Sequence, residues 1–237
     1  MPFKKYWITS AHRGFTGDSG VRENTMEAYR MAVRKHPDMM EIDARMAKDG
    51  VLMCNHDAEL TVNGKTYSIA EESSEVLRSE AEVPTVEETL DLCYHTGTEV
   101  NIDMKDNGTY TEELCRLVLR TGMRGHVIYA LNLADVSSVK RILDLDPDAR
   151  FMNRIERYTD EMYAAVPDYR KRFFAYTSGF SPASVEKIRE KGVNLACISL
   201  RGDNFEEALK WHPEMCEFPH TSDFEKIEEA YFQKYFA

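Results

Sequence analysis

Residues 39–45 read MMEIDAR, two carboxylates interleaved with methionine, isoleucine and alanine. In an extended chain successive side chains point to opposite faces. Met40, Ile42 and Ala44 therefore share one face, while Glu41 and Asp43 share the other, about 7 Å apart along the strand. A strand buried on both faces by covering helices should read as a nearly continuous apolar run. The same departure from that rule recurs nearby. In NIDMK (101–105), Ile102 and Met104 oppose Asn101, Asp103 and Lys105. VLMCNH (51–56) ends on His56, on the face of Leu52 and Cys54. YWITSAH (6–12) ends on His12, with Arg13 and then Gly14 behind it.

Outward from these stretches, short apolar runs alternate with amphipathic segments to the end of the chain, the pattern of repeated β-α units on a parallel sheet. Capping residues mark the helices. Asn24 precedes Glu27 by three and is expected to cap a helix with Ala28, Tyr29, Ala32 and Val33 on its apolar stripe. Thr85 stands in the same relation to Glu88, ahead of Val86, Leu90 and Cys93. Thr111 opens a helix carrying Leu114, Leu117 and Val118. Ser181-Pro182 places a cap before a proline at the first helical position. Ser222 and Glu225 make a further capping box. Nine strand candidates compete for eight places, so one of the later ones is expected to be peripheral. The expected architecture is an α/β fold, a single (β/α)8 TIM barrel with a short insertion after the third strand. It would span residues 1–237 as one domain, with a doubly wound open sheet as the alternative. The insertion, roughly 57–84, is rich in Glu and Ser around the turn VNGK.

Composition narrows the function classes. A net charge of −11 argues against nucleic acid or an anionic membrane surface as main partner, since both call for a broad basic field. A small phosphorylated ligand needs only a local cluster of cations. Neither a signal-peptide core nor a run of membrane-spanning length is evident. Five cysteines without CxxC spacing suggest neither a disulfide frame nor a zinc knuckle, and a reduced, cytoplasmic protein is the expectation.

Taken singly, each polar strand residue has a bland explanation: an edge carboxylate, a hydrogen-bonded histidine, a solvated turn. Together they do not. Three carboxylates on one face of adjacent strands repel strongly if buried unpaired, and Lys105 neutralises one of them. A hard divalent cation with oxygen ligands, Mg²⁺ or Ca²⁺, accounts for the rest. Two histidines at strand ends suit a general acid and a general base, and the fork of Arg13 suits a phosphate. In a barrel these groups meet at the C-terminal face, where barrel enzymes keep their chemistry.

HRG (12–14), ENT (23–25), EID (41–43), KDG (48–50), NHD (55–57), PTVEETL (84–90) and DMK (103–105) follow one another in this chain. In order and spacing they resemble the glycerophosphodiester phosphodiesterases, densely over residues 8–106 and thinly beyond. The resemblance implies a (β/α)8 barrel and a divalent-metal enzyme that hydrolyses small-molecule glycerophosphodiesters to glycerol 3-phosphate and an alcohol. It implies His12 and His56 as the acid/base pair, Glu41, Asp43 and Asp103 as metal ligands, Arg13 as a phosphate ligand and Lys105 close to the phosphate. Asp103 stands where the family usually has glutamate, so the metal must shift or be met through water. Val62 replaces an arginine common after the His-Asp pair. CISLRGDN (197–204) replaces a late Trp-Thr-Val-Asn strand.

Two rivals remain. A related barrel phospholipase of the sphingomyelinase D type would show an aromatic lip for a membrane, and HDAELTVNGKTYS (56–68) supplies none. A catalytically weak barrel acting as a phosphodiester or metal sensor would bind a metal without turnover.

Overall fold

The computed structural model describes residues 7–16, 19–106, 109–131, 136–177, 181–200 and 210–219, with 204, 207–208, 223–226 and 229. The expected capping box at Ser222 lies outside the described residues. From the N-terminus come β1 (Ile8–His12), α1 (Met26–Val33) and β2 (Met39–Met46). An excursion follows: β3 (Leu52–Cys54), the hairpin β4 (Glu59–Val62) and β5 (Lys65–Ser68), and the helices α2 (Ser74–Ala81) and α3 (Val86–Thr96). The alternation then resumes with β6 (Glu99–Met104), α4 (Thr111–Arg120), β7 (Val127–Leu131), α5 (Val136–Leu145) and β8 (Arg150–Arg154). After a 3₁₀ turn at Ile155–Arg157 come α6 (Asp160–Ala165), α7 (Tyr169–Arg172), β9 (Phe173–Tyr176), α8 (Pro182–Lys191), β10 (Asn194–Cys197) and β11 (Met215–Phe218).

The sheet runs β1-β2-β6-β7-β8-β9-β10-β11 in parallel, and β11 pairs back onto β1. This is a closed eight-stranded barrel, and the open doubly wound alternative falls away. The strand left over is β3, an early one rather than a late one. Its strand partner is the far end of β2, antiparallel, through Ala44–Cys54, Arg45–Met53 and Met46–Leu52, and on its other side Met53 makes a single bridge to Thr85. The residues between β2 and β3 are too few for the crossover that a parallel neighbour requires, so β3 has to double back. The insertion after it holds its own apolar cluster, with Met53, Tyr67, Ile69 and Leu77 packed together. Its hairpin turns at Asn63-Gly64, both at positive φ, as a two-residue Asn-Gly turn requires.

Two apolar layers make the barrel. Met39, Ile128, Met152, Phe174, Ala196 and Met215 fill its floor from inside. Met40, Ile42 and Ala44 face outward, under helix residues such as Tyr29 and Leu90. Each large side chain so buried contributes about 1.5–3 kcal/mol. The caps at Thr85 and Ser181 form as the sequence requires, the first as a full capping box with Glu88. The first helix differs. Its cap is Thr25, whose Oγ1 accepts the Ala28 amide at 3.2 Å, and Asn24 is freed for the barrel interior. All five cysteines are buried and unpaired. Among the described residues no helix is long and apolar enough to cross a membrane.

Candidate active site at the barrel mouth

The C-terminal ends of the strands open on a cavity of about 290 Å³ lined by His12, Arg13, Glu41, His56, Asp103 and Lys105, among others. Asp43 lies directly behind it, fully buried. All seven residues singled out from sequence therefore converge. Register explains how: His12 on β1 is level with Glu41 on β2, and Asp43 is level with Asp103 on β6. His56 reaches the cavity because β3 turns back along β2. Asn55 N–H donates to Asp43 O at 3.1 Å, and Arg45 grips the His56 carbonyl through Nε at 3.0 Å and Nη2 at 2.8 Å.

The backbone at the first strand end is strained in a specific way. Arg13 has φ +54, a conformation uncommon for a residue with a side chain. Its N–H is held by Glu41 Oε2 at 2.9 Å and Glu41 O at 3.1 Å. Gly14 follows at φ +79, where a Cβ would sit 2.8 Å from Ala28. No other residue fits between the loop and α1. The pair of positive φ values turns the chain away from the cavity while leaving Arg13 across its wall.

The charges form one network. Asp43 forms ion pairs with Arg13 Nε at 3.1 Å and Lys105 Nζ at 2.9 Å, and Lys105 also reaches Asp103 at 2.5 Å. Asn24 Nδ2 donates to Asp43 Oδ2 at 2.7 Å, while its Oδ1 accepts the Tyr29 hydroxyl at 2.7 Å. Arg13 is held on its other side by Glu23 at 2.7 Å. Burial pushes the Asp43 carboxyl up, but Lys105 and Arg13 reverse this and hold it below the usual range. Glu41 is pushed well above that range, first by burial, then by Asp43, Glu217 and Asp103. Burial likewise raises Asp103 against the pull of Lys105. Burial and then Arg13 press His12 down to about 3. His56 keeps Nδ1 2.8 Å from Asp57 Oδ1, a contact that sets its ring orientation.

Glu41, Asp43 and Asp103 each offer an oxygen, and the three oxygens lie within 4.8 Å of one another. An all-oxygen donor set of this spacing, two of its members raised first by burial and then by their neighbouring carboxylates, fits a hard divalent cation. A fourth inward carboxylate was not singled out from sequence. Glu217 on β11 is 3% exposed and, level with Ser10 of β1, borders the same cavity. Burial, then Asp103 and Asp43, push it up to about 8. Its strand, Met215–Phe218, is too short for the Met215/Glu217 alternation to stand out in the sequence.

The sequence model of the Glycerophosphoryl diester phosphodiesterase family matches residues 12–198. A Glycerophosphodiester phosphodiesterase of Bacillus altitudinis is 32% identical over 111 residues, 41% of this chain and 44% of the relative. The chain thus spans less than half the length of that relative. Among solved structures, a Glycerophosphoryl diester phosphodiesterase from Parabacteroides distasonis aligns with TM-score 0.75 at 21% identity, covering 94% of this chain and 86% of the other. An Oleispira antarctica phosphodiesterase in complex with the product sn-glycerol-3-phosphate aligns with TM-score 0.73 at 17% identity, covering 94% and 96%. At such identities the structural likeness speaks for the fold.

Proposed function

The chain belongs to the Glycerophosphoryl diester phosphodiesterase family, and from that premise we propose that it hydrolyses glycerophosphodiesters to glycerol 3-phosphate and an alcohol. The observation that carries this reading is the meeting of two imidazoles, two cationic side chains and a triad of carboxylates, Glu41 and Asp43 buried and Asp103 half-buried, at one cavity. Glu41, Asp43 and Asp103 would hold a divalent cation, Mg²⁺ or Ca²⁺, whose positive charge supplies Lewis-acid stabilisation of the phosphoryl oxygens.

The remaining work falls to the side chains. Arg13, its plane fixed between Asp43 and Glu23, binds a phosphoryl oxygen and orients the diester. Lys105 adds a second positive charge next to the carboxylates, where charge builds in the transition state. One imidazole of the pair His12 and His56 takes a proton from the nucleophile, water or the adjacent glycerol hydroxyl, as its oxygen bonds to phosphorus. The other delivers a proton to the alcohol oxygen as its bond to phosphorus breaks. His56 is oriented for this by Asp57 and by the Arg45 clamp on its carbonyl. Asp103 stays within reach of the other two ligands despite its shorter side chain, so the family's usual glutamate is not required for the cluster to form.

His12→Ala and His56→Ala each test this. General acid-base groups are worth about 10²–10⁴ in rate, so turnover of glycerophosphocholine should fall by at least about a hundredfold with the melting temperature kept. Added chelator should suppress turnover of the wild type. Near-full activity in both variants would sink the assignment, and tight metal binding without turnover would favour a sensor.

A further inference from the structure

Resting on that phosphodiesterase reading, we propose that Arg154 selects diesters whose leaving alcohol carries an anionic group, a carboxylate or a second phosphate. The groups that would handle the phosphoryl centre stand on β1, β2 and β6 and on the β3 excursion beside β2. Arg154 ends β8. Going round the barrel, β8 is four strands from β1 in either direction, so Arg154 stands on the opposite wall of the same cavity. Met152, two residues earlier, points into the barrel floor, and the alternation of the strand turns Arg154 the same way. Its backbone N–H is fixed by Asn153 Oδ1 at 2.8 Å. Across the strand pair it is level with Tyr176 of β9.

Among the described residues, Arg154 pairs with no carboxylate, whereas Arg13 and Lys105 each hold two. The cavity's carboxylates Glu41, Asp103 and Glu217 form no ion pair with Arg154, so its guanidinium, exposed at the end of β8, is left to meet an anion on the ligand. The phosphoryl group is already served by Arg13, Lys105 and the cation that the carboxylates would hold. Glycerol is neutral, so the second anion belongs to the alcohol. A quaternary ammonium alcohol would meet Arg154 as like charge. The cavity, about 290 Å³, suits an alcohol of a few carbons.

Three synthetic diesters of glycerol 3-phosphate test this: with 3-hydroxypropionate, with its neutral carboxamide, and with a short diol monophosphate. Dissociation constants are measured by calorimetry in chelator, and kcat/KM with metal added, for wild type, Arg154→Met and Arg154→Lys. The wild type should prefer the carboxylate or the phosphate over the amide by about tenfold or more, the worth of a charge-assisted pair. The ratio should fall toward one in Arg154→Met and recover in part in Arg154→Lys, and the better of the two anionic arms names the group. A ratio unchanged in a folded Arg154→Met, or a wild type that favours the amide, overturns the inference. A binding preference that depends on Arg154 with no turnover of any diester upholds it and overturns the phosphodiesterase reading instead.

Discussion

Glu217 is the residue whose environment differs most from what its sequence suggests. It sits in MCEF, a four-residue strand that closes the barrel, and its neighbours Cys216 and Phe218 face the helices. From sequence the stretch is too short for its alternation to stand out, and a lone carboxylate on a strand usually marks an exposed edge. Only closure of β11 onto β1 makes both faces of that strand interior. Burial raises Glu217 first, and Asp103 and Asp43 raise it further, to about 8 from an ordinary 4.5. Between those two pH values the folded protein keeps a proton that the unfolded chain has released. Stability therefore falls as pH rises through this window and levels off above about 8. Glu217→Gln removes the titration, so in chelator the variant should gain melting temperature over wild type steadily from pH 5 to pH 8. A difference that stays flat over that range would show that Glu217 ionises as an ordinary carboxylate. Asn24 teaches the converse. Its sequence position suits a cap, but Thr25 beside it caps equally well, and the amide of Asn24 is the group that can satisfy Asp43 and Tyr29 together.

At the level of elements, β3 was legible as a strand and not as an outsider to the barrel. VLMC has the right composition, and nine candidates for eight places pointed to a surplus. The turn AKDG before it held the answer, because so short a link can only reverse the chain. Its consequence is functional: the reversal carries His56 over the mouth of the barrel instead of leaving it at the end of a stave. Arg45 locks the arrangement, with Nε and Nη2 on the His56 carbonyl and Nη1 on Asp106 at 2.6 Å. Among the described residues Arg45 makes no hydrogen bond or ion pair to the side chain of any of the seven, so its expected role is positioning. Arg45→Met keeps the apolar stem and removes the clamp. It should lower kcat by about 10- to 100-fold, the cost of a misplacement of about 1 Å, and leave KM and the β2–β3 pairing largely intact. Amide exchange at Cys54 and Asn55, unchanged between variant and wild type, would separate this from local unfolding. Unchanged kcat would mean that β3 alone positions the histidine.

On the scale of the whole molecule, the barrel was legible because its logic repeats. Every β-α unit reports the same polarity, so errors in one unit do not alter the closure of the rest. The metal-ligand candidates were legible because alternation within single strands places them without knowledge of the fold. Arg154, Tyr176 and Glu217 come from later strands, and only the closed barrel brings them over the cavity that the early strands define. The same closure concentrates charge. A chain of net charge −11 gathers Glu41, Asp43, Asp103 and Glu217 around one interior, against Arg13 and Lys105, so an unliganded barrel carries a self-repulsion that a divalent cation would relieve. Binding to the folded state alone stabilises it by about 2.7 kcal/mol at a hundredfold excess over the dissociation constant. For a chain of this size that corresponds to a rise of about 5–10 °C in Tm. Titration of metal-free protein with Mg²⁺ and with Ca²⁺ should show this shift, and the ion that shifts Tm at lower concentration is the tighter ligand. Asp43→Asn should shrink the shift and move it to higher cation concentration, because it removes the negative charge of the carboxylate that the Arg13, Lys105 and Asn24 contacts hold in place. A Tm that does not respond to either cation, or responds equally in Asp43→Asn, would place any cation effect away from the Glu41, Asp43 and Asp103 cluster.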